Sequence, residues 1–236
     1  MNDQSRRIGL LAGLGEVPVY FADRAMHNGI RIVSVAFTDE IHSQLMPFVE
    51  RGYFIGLGKM GKIFQTFRDE GITDLVMLGK VDKRVIFKPE LFDLRALKVL
   101  KQLVTREDKT LLLAAIREME NEGFHVLDQR EILTELFPAE GQLTRRKPSK
   151  QEMEDIRFGL PIAKQLADME IGQTIVVKNK TVVAVEAIEG TDRALERGCE
   201  LSGGKCVVVK VSRTGQDYRY DVPGIGPRTL ELMAEG

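Results

Sequence analysis

Cysteine is almost missing from this chain of 236 residues: there are two, Cys199 and Cys206, with no second pair of thiols near them. That excludes a disulfide scaffold and a cysteine-rich zinc site, and predicts free thiols in a reducing compartment. Histidine is as scarce, and His27, His42 and His125 stand singly, which leaves neither a zinc cluster nor a histidine-centred triad to argue for. Neither sign of charge dominates, since 34 Lys and Arg face 35 Asp and Glu for a net charge of −1. A general nucleic-acid binder carries an excess of Lys and Arg to release counterions, so nucleic acid is not an expected partner. No run approaches the ~18 uninterrupted apolar residues of a spanning helix; the longest, residues 111–116 and 206–209, are core-sized. The apolar stretch at residues 8–12 is broken by Gly13, Gly15 and Glu16, too soon for the core of an export signal. A cytoplasmic enzyme or binding protein is what these absences leave.

What is present alternates. Residues 8–11 read as a strand, Pro18 suits the first turn of a helix, and Gly29 supplies its left-handed end. A second strand follows at 30–35, then a helix at 60–70 with Ile63, Phe64 and Phe67 on one side and Gly71 after it. Residues 75–78 form a buried-strand run stopped by Gly79, followed by helices near 91–104 and 110–122 and a strand at 124–127. Strands alternating with helices predict a Rossmann-like α/β domain with a mostly parallel sheet over residues 1–138. Two prolines, a glycine and four basic residues between Pro138 and Lys150 mark a linker at 139–149. Residues 150–236 read as a smaller α+β domain. A helix to about Asp168 opens on Ser149 and Glu152 at capping-box spacing and carries Ile156, Leu160, Ala163, Leu166 and Ala167 as its apolar face. A hairpin of strands 174–178 and 181–185 turns at Asn179-Lys180, a weaker turn than Asn-Gly. A helix at 191–197, a strand at 207–211 and a helix from Pro227 complete it.

Two glycine-rich turns could face phosphate. The first, Gly13-Leu14-Gly15, joins a strand to a helix whose N-terminus carries about half a positive charge. It is not the dinucleotide fingerprint, because Pro18 stands where glycine is needed, and Glu16 would repel an anion if it pointed inward. A plain strand–helix turn is the competing reading. The second, from Gly56 to Lys62, satisfies the spacing of a P-loop but puts Ile63 where Ser or Thr must hold magnesium. ATP hydrolysis is rejected on that ground. The second domain is denser in chemistry: Glu186, Glu189 and Asp192 recur every three residues, and Asp217 and Asp221 are interleaved with Lys210, Arg213 and Arg219. Magnesium takes one or two carboxylates with waters and substrate phosphate, and Lys and Arg neutralise the rest of a phosphate's charge. The competing reading is a solvated polar surface.

The segments GQTIVVKNKTVVAVEAIEGTDRALERG and VVVKVSRTGQDYRYDVPGIGPRTLE resemble the LpxI family of UDP-2,3-diacylglucosamine pyrophosphatases, as do IGLLAGLGEVP, GKMGKIFQTFRDEGITDLVMLGKV and DKTLLLAAIREMENEGF. The resemblance implies a two-domain enzyme of lipid A assembly that holds its substrate between the domains. It hydrolyses the pyrophosphate to UMP and 2,3-diacylglucosamine 1-phosphate with a divalent cation such as Mg2+, water being directed at the sugar-side phosphorus. On matching positions, Asp221 becomes the catalytic acid residue, and Asp221 and Asp217 the metal candidates. Gly13, Gly15, Pro18 and Gly79 fall on first-domain loops, and Gln173, Glu186, Thr191, Asp192 and Lys210 on second-domain motifs that contact substrate. A homodimer and a peripheral contact with the inner face of the cytoplasmic membrane are further implications. The chain departs from the family at Ser212-Arg213-Thr214, in a shorter connection from Gly198 to Lys205, and at Gly236, where a further tail of roughly 30 residues, about one supersecondary unit, is expected. A non-catalytic nucleotide-sugar binding protein is the alternative. A nicotinamide-dependent oxidoreductase fits the alternation but lacks the fingerprint.

Overall fold

The computed structural model describes residues 6–81, 91–101, 108–220 and 222–235, and divides the chain into two compact units, Met1–Phe137 and Pro138–Gly236. In the first, strands β1 (Arg7–Ala12), β2 (Arg31–Ala36), β3 (Arg51–Phe54), β4 (Asp74–Leu78) and β5 (His125–Val126) form one parallel sheet in the order β3-β2-β1-β4-β5. Helices α1 (Val17–His27), α2 (Asp39–Leu45), α3 (Met60–Asp69), α4 (Leu94–Lys101) and α5 (Asp108–Asn121) lie between them in the chain, and α6 (Gln129–Ile132) follows β5. The chain winds outward from β1 to one edge, then returns to build the other side. The order therefore reverses between β1 and β4, and a crevice at the carboxyl ends of those strands is where such sheets hold ligands.

The burial follows from the sequence. Ile8, Leu10, Leu11 and Ala12 of β1 and Ile32, Val33, Val35 and Ala36 of β2 are all buried, as a parallel sheet covered on both faces requires. The left-handed glycines expected after α1 and α3 are Gly29 and Gly71, with φ of 72° and 65°. Phe64 and Phe67 of α3 meet Phe124 with ring centroids 5.7 and 6.3 Å apart. Three elements have no counterpart in the expected order, β3 and the short helices α2 and α6. The edge strand β3 is half-exposed and starts on a charge, so its apolar signal is weak, and its order comes from pairing with Val33–Ala36 of β2. The helix expected near 91–104 starts later, at Leu94, with Asp93 accepting from the Ala96 amide ahead of it; it is seen to Lys101, and residues 102–104 lie outside the described residues.

The second unit is an antiparallel sheet, β7-β6-β8, built from β6 (Thr174–Lys178), β7 (Thr181–Val185) and β8 (Val207–Lys210). Helix α7 (Lys150–Asp168) covers one face, α8 (Thr191–Ser202) the other, and α9 (Pro227–Glu235) packs on α8. Each covering helix presses a glycine onto the sheet: a Cβ on Gly159 would lie 2.9 Å from Val177, and one on Gly198 2.5 Å from Val176. On α7 the buried stripe is Asp155, Gly159, Ala163 and Ala167, spaced by four. Leu160, expected on the apolar face, is half-exposed, because the close approach through small residues turns the neighbouring position outward. The capping box forms as expected, with Ser149 Oγ accepting from the Glu152 amide and Glu152 accepting from the Ser149 amide. Helix α8 runs five residues past its expected end, to Gly203 in the left-handed conformation.

The Asn179-Lys180 turn shows how a poor turn sequence is made to work. Both residues have positive φ, 50° and 57°, the geometry of a type I′ hairpin, which strains a lysine. Asp155, 4% exposed, reaches across from α7 and accepts from the amides of Asn179 (3.0 Å) and Lys180 (2.7 Å). Asp155→Ala leaves both amides without that acceptor and is expected to cost about 2–3 kcal/mol in denaturant unfolding. A loss within experimental error would show that the turn holds itself. Acid titration probes the α7 start. Hydrogen bonds from Arg146 and then from Ser149 lower the Glu152 carboxyl from 4.5 to about 2. A depressed carboxyl stabilises the fold above its unfolded value and loses that effect as pH falls through the folded one. The melting-temperature advantage of the wild type over Glu152→Gln should be full above pH 4.5 and gone near pH 2.

Candidate functional site

At the reversal point of the first unit, Gly13 and Gly79 face one another. The Gly13 amide donates to Leu78 O (2.8 Å), and Leu14 and Lys80 exchange two backbone hydrogen bonds of 2.7 Å in an isolated antiparallel bridge. A Cβ on Gly13 would collide with Lys80 O, and one on Gly79, whose φ is 86°, would sit 2.7 Å from the Gly13 carbonyl. Both glycines are thus explained by backbone crossing backbone where the strand order reverses. Gly15 (φ 109°) then turns the chain into α1, with Pro18 buried in the first turn. Glu16 at the N-cap makes no side-chain cap hydrogen bond and is exposed, so it does not fill the helix N-terminus.

The second glycine turn is filled. Asp93 Oδ2 accepts from the Gly61 amide (2.7 Å), while Oδ1 accepts from the Ala96 amide (2.9 Å). One carboxylate therefore caps α3 and α4 together and occupies the position a phosphate would take in a P-loop. A Cβ on Gly58 would also strike Leu91 O at 2.6 Å. The sequence signal for this role was an Asp just before an apolar helical run, hidden because the helix was expected to start earlier.

In the second unit, four of the five expected substrate contacts form one hydrogen-bonded chain. Lys210 Nζ at the end of β8 donates to Thr191 Oγ1 (3.0 Å), and Thr191 donates to Glu186 Oε1 (2.7 Å). Glu186 Oε2 accepts from the Gln173 amide (3.2 Å). Thr191 opens α8, so this chain lies at a helix N-terminus, with Gly190 (φ 83°) ahead of it. Thr174 pairs in register with Lys210; it is 1% exposed, and among the described residues neither its hydroxyl nor Gln173 Oε1 has a hydrogen-bond partner. Thr174 was missed by sequence reading, although a hydroxyl leading an apolar strand run was its signal. Asp192, the fifth, is exposed in the first turn of α8. The acidic triplet does not converge: Glu189 instead pairs with Arg197 (2.8 Å), and hydrogen bonds from its own backbone and from Arg197 hold its carboxyl below the usual range.

The segment that carries Asp217 is pinned by α7. Lys164 Nζ donates to Ser212 O (2.5 Å), and Asp168 accepts from the Thr214 amide (2.6 Å) and hydroxyl (2.8 Å), which lower its pKa. Asp217 Oδ1 accepts from Arg219 Nε (3.0 Å) and Oδ2 from Arg219 Nη2 (2.7 Å). To ligate a cation it would have to release that guanidinium. Asp221 lies outside the described residues. Among the described residues no group of three or more His, Cys, Asp or Glu is placed to hold a metal ion, and no helix is long and apolar enough to cross a membrane.

Family models of the LpxI N-terminal and C-terminal domains match residues 7–136 and 139–236. The chain belongs to the LpxI family. It is 34% identical over 242 aligned residues to the UDP-2,3-diacylglucosamine pyrophosphatase LpxI of Caulobacter vibrioides, covering 97% of this chain and 85% of that relative. The expected fold, a parallel α/β domain followed by a smaller α+β domain, is the one found.

The crossing at the reversal point makes a testable distinction between two left-handed glycines of the first unit. Gly29 has a φ of 72° and open space around it, whereas Gly79 has both positive φ and an opposing backbone. Gly29→Ala should cost about 1–2 kcal/mol from the conformation alone, and Gly79→Ala distinctly more, by thermal or denaturant unfolding. Equal losses would mean that the loops separate without penalty.

Proposed function

We propose that the chain hydrolyses the pyrophosphate bond of UDP-2,3-diacylglucosamine, releasing UMP and 2,3-diacylglucosamine 1-phosphate in lipid A biosynthesis. The observation that carries this reading is the Lys210–Thr191–Glu186 chain at the start of α8, in a member of the LpxI family. An ammonium beside a helix N-terminus is a place for a phosphate group. Glu186 accepts the hydrogen bond that the Thr191 hydroxyl donates, so the hydroxyl oxygen turns its lone pairs to Lys210 and the ammonium is held in one position. Such fixed charge costs no reorganisation when negative charge builds on the phosphate during attack. Among the described residues the buried Thr174 hydroxyl and Gln173 amide oxygen beside this chain have no partner, which leaves polar capacity for an internal water.

Asp221 is the residue assigned to the reacting water, which attacks the sugar-side phosphorus, either by taking its proton or by ligating magnesium. A divalent cation on the diphosphate would neutralise its charge and fix its geometry; Asp221 is its candidate ligand, with Asp217 available only after parting from Arg219. Gly13, Gly15, Pro18 and Gly79 form the ligand end of the first unit in this reading. A homodimer, and contact with the inner face of the membrane that holds the diacyl substrate, belong to the same proposal.

The test is release of UMP from UDP-2,3-diacylglucosamine, with magnesium and with chelator, in 18O-labelled water. The label is expected in the sugar phosphate, and chelation should abolish turnover. Asp221→Ala should keep substrate binding and lose turnover, and Lys210→Met should fall by about 100-fold in kcat/KM with its melting temperature little changed. Binding of substrate without UMP release by the wild type would instead establish a nucleotide-sugar binding protein, and full activity in Asp221→Ala would remove that residue from the mechanism.

A further inference from the structure

Cys199 and Cys206 play no part in the reaction above, yet the fold brings them together. Cys199 lies in the last turns of α8 and Cys206 directly before β8; their sulfurs are 3.9 Å apart and both residues are half-buried. The connection between them is built for this approach. Gly203, Gly204 and Lys205 all have positive φ, at 66°, 75° and 52°, which reverses the chain in three residues. The Gly204 amide closes the turn on Cys199 O (3.0 Å), and the Lys178 ammonium grips Ser202 O (2.6 Å) and Gly204 O (2.8 Å). A disulfide needs its sulfurs at about 2.05 Å, a closure within reach of side-chain rotation and a glycine-rich turn.

We propose that Cys199 and Cys206 are a modification site, a dithiol that low-molecular-weight disulfides convert into an intrachain disulfide and thiols convert back. Burial, and next the neighbouring Cys206, push the Cys199 thiol up, and the exchange gives the same products whichever sulfur attacks first; in one order it begins at Cys206. Its thiolate displaces one thiolate from the small disulfide and forms a mixed disulfide. Cys199 then gives its proton to solvent and attacks the Cys206 sulfur, expelling the second small thiol. Two protein thiols are oxidised, and one small disulfide is reduced to two thiols. The bond ties α8 to β8, the elements whose other ends carry Thr191 and Lys210.

The full chain, incubated in glutathione buffers from reduced to oxidised, gives the test by thiol titration under denaturing conditions, intact mass and non-reducing electrophoresis. The wild type should lose both thiols together, gain no adduct, stay a single chain and melt higher than the reduced form, all reversed by dithiothreitol. Cys199→Ser and Cys206→Ser should each stop at a mixed disulfide with glutathione. Two titratable thiols in excess oxidised glutathione, or a mixed disulfide persisting in the wild type, would overturn the proposal. None of these readouts involves pyrophosphate hydrolysis, so the two readings stand or fall separately.

Discussion

The second unit depends on where one carboxylate is placed. Glu186 follows β7, accepts from the Gln173 amide ahead of β6, accepts from Thr191 at the start of α8, and through Thr191 meets Lys210 at the end of β8. Four separated chain segments thus converge on one side chain. The approach is tight enough that Gly172 has no room for a Cβ against the Glu186 backbone. Two half-buried charges bridged by a hydroxyl are a weak source of net stability, because desolvation offsets much of the attraction. Its value is geometric: the ammonium, the hydroxyl and the helix N-terminus keep fixed relative positions.

The two glycine turns of the first unit illustrate how similar sequences come to different ends. In the turn of Gly58 and Gly61, Asp93 accepts from the Gly61 amide and, through its other oxygen, from the Ala96 amide, so that one internal carboxylate ties two helices together. Around Gly13 and Gly79 the glycines let two loops cross at the point where the sheet reverses direction. Spacing alone marks both as phosphate candidates. The Gly58–Gly61 turn is filled from within the chain by Asp93, whereas the Gly13–Gly79 crossing stands at the reversal point where a doubly wound sheet offers a crevice.

Most regular elements were legible because their signals are local. The alternation of strand and helix, the proline at the start of α1, the glycines after α1 and α3 and the Ser149–Glu152 box each report on a few neighbouring residues. Strand β3 and helix α2 were not, since a short edge strand and a seven-residue helix carry little periodicity of their own. The site was half legible. The family resemblance named Gln173, Glu186, Thr191 and Lys210, but the even spacing of Glu186, Glu189 and Asp192 suggested one acidic cluster. In the fold Glu186 turns to Thr191, Glu189 to Arg197, and Asp192 outward, because a tight loop into a helix does not keep one face.

By itself, then, the sequence determined the class of the two domains, their order and the family. These rest on hydrophobic period, caps and motifs, all of which act over short stretches of chain. The tertiary structure alone decided which partners each polar group would find. Asp155 could not be read as the support of a strained hairpin 24 residues away, nor Asp93 as the occupant of a phosphate-like nest, nor Cys199 as the neighbour of Cys206. A buried donor or acceptor must be satisfied somewhere, but which group satisfies it depends on how helices cross strands, and that is set only when the whole core packs.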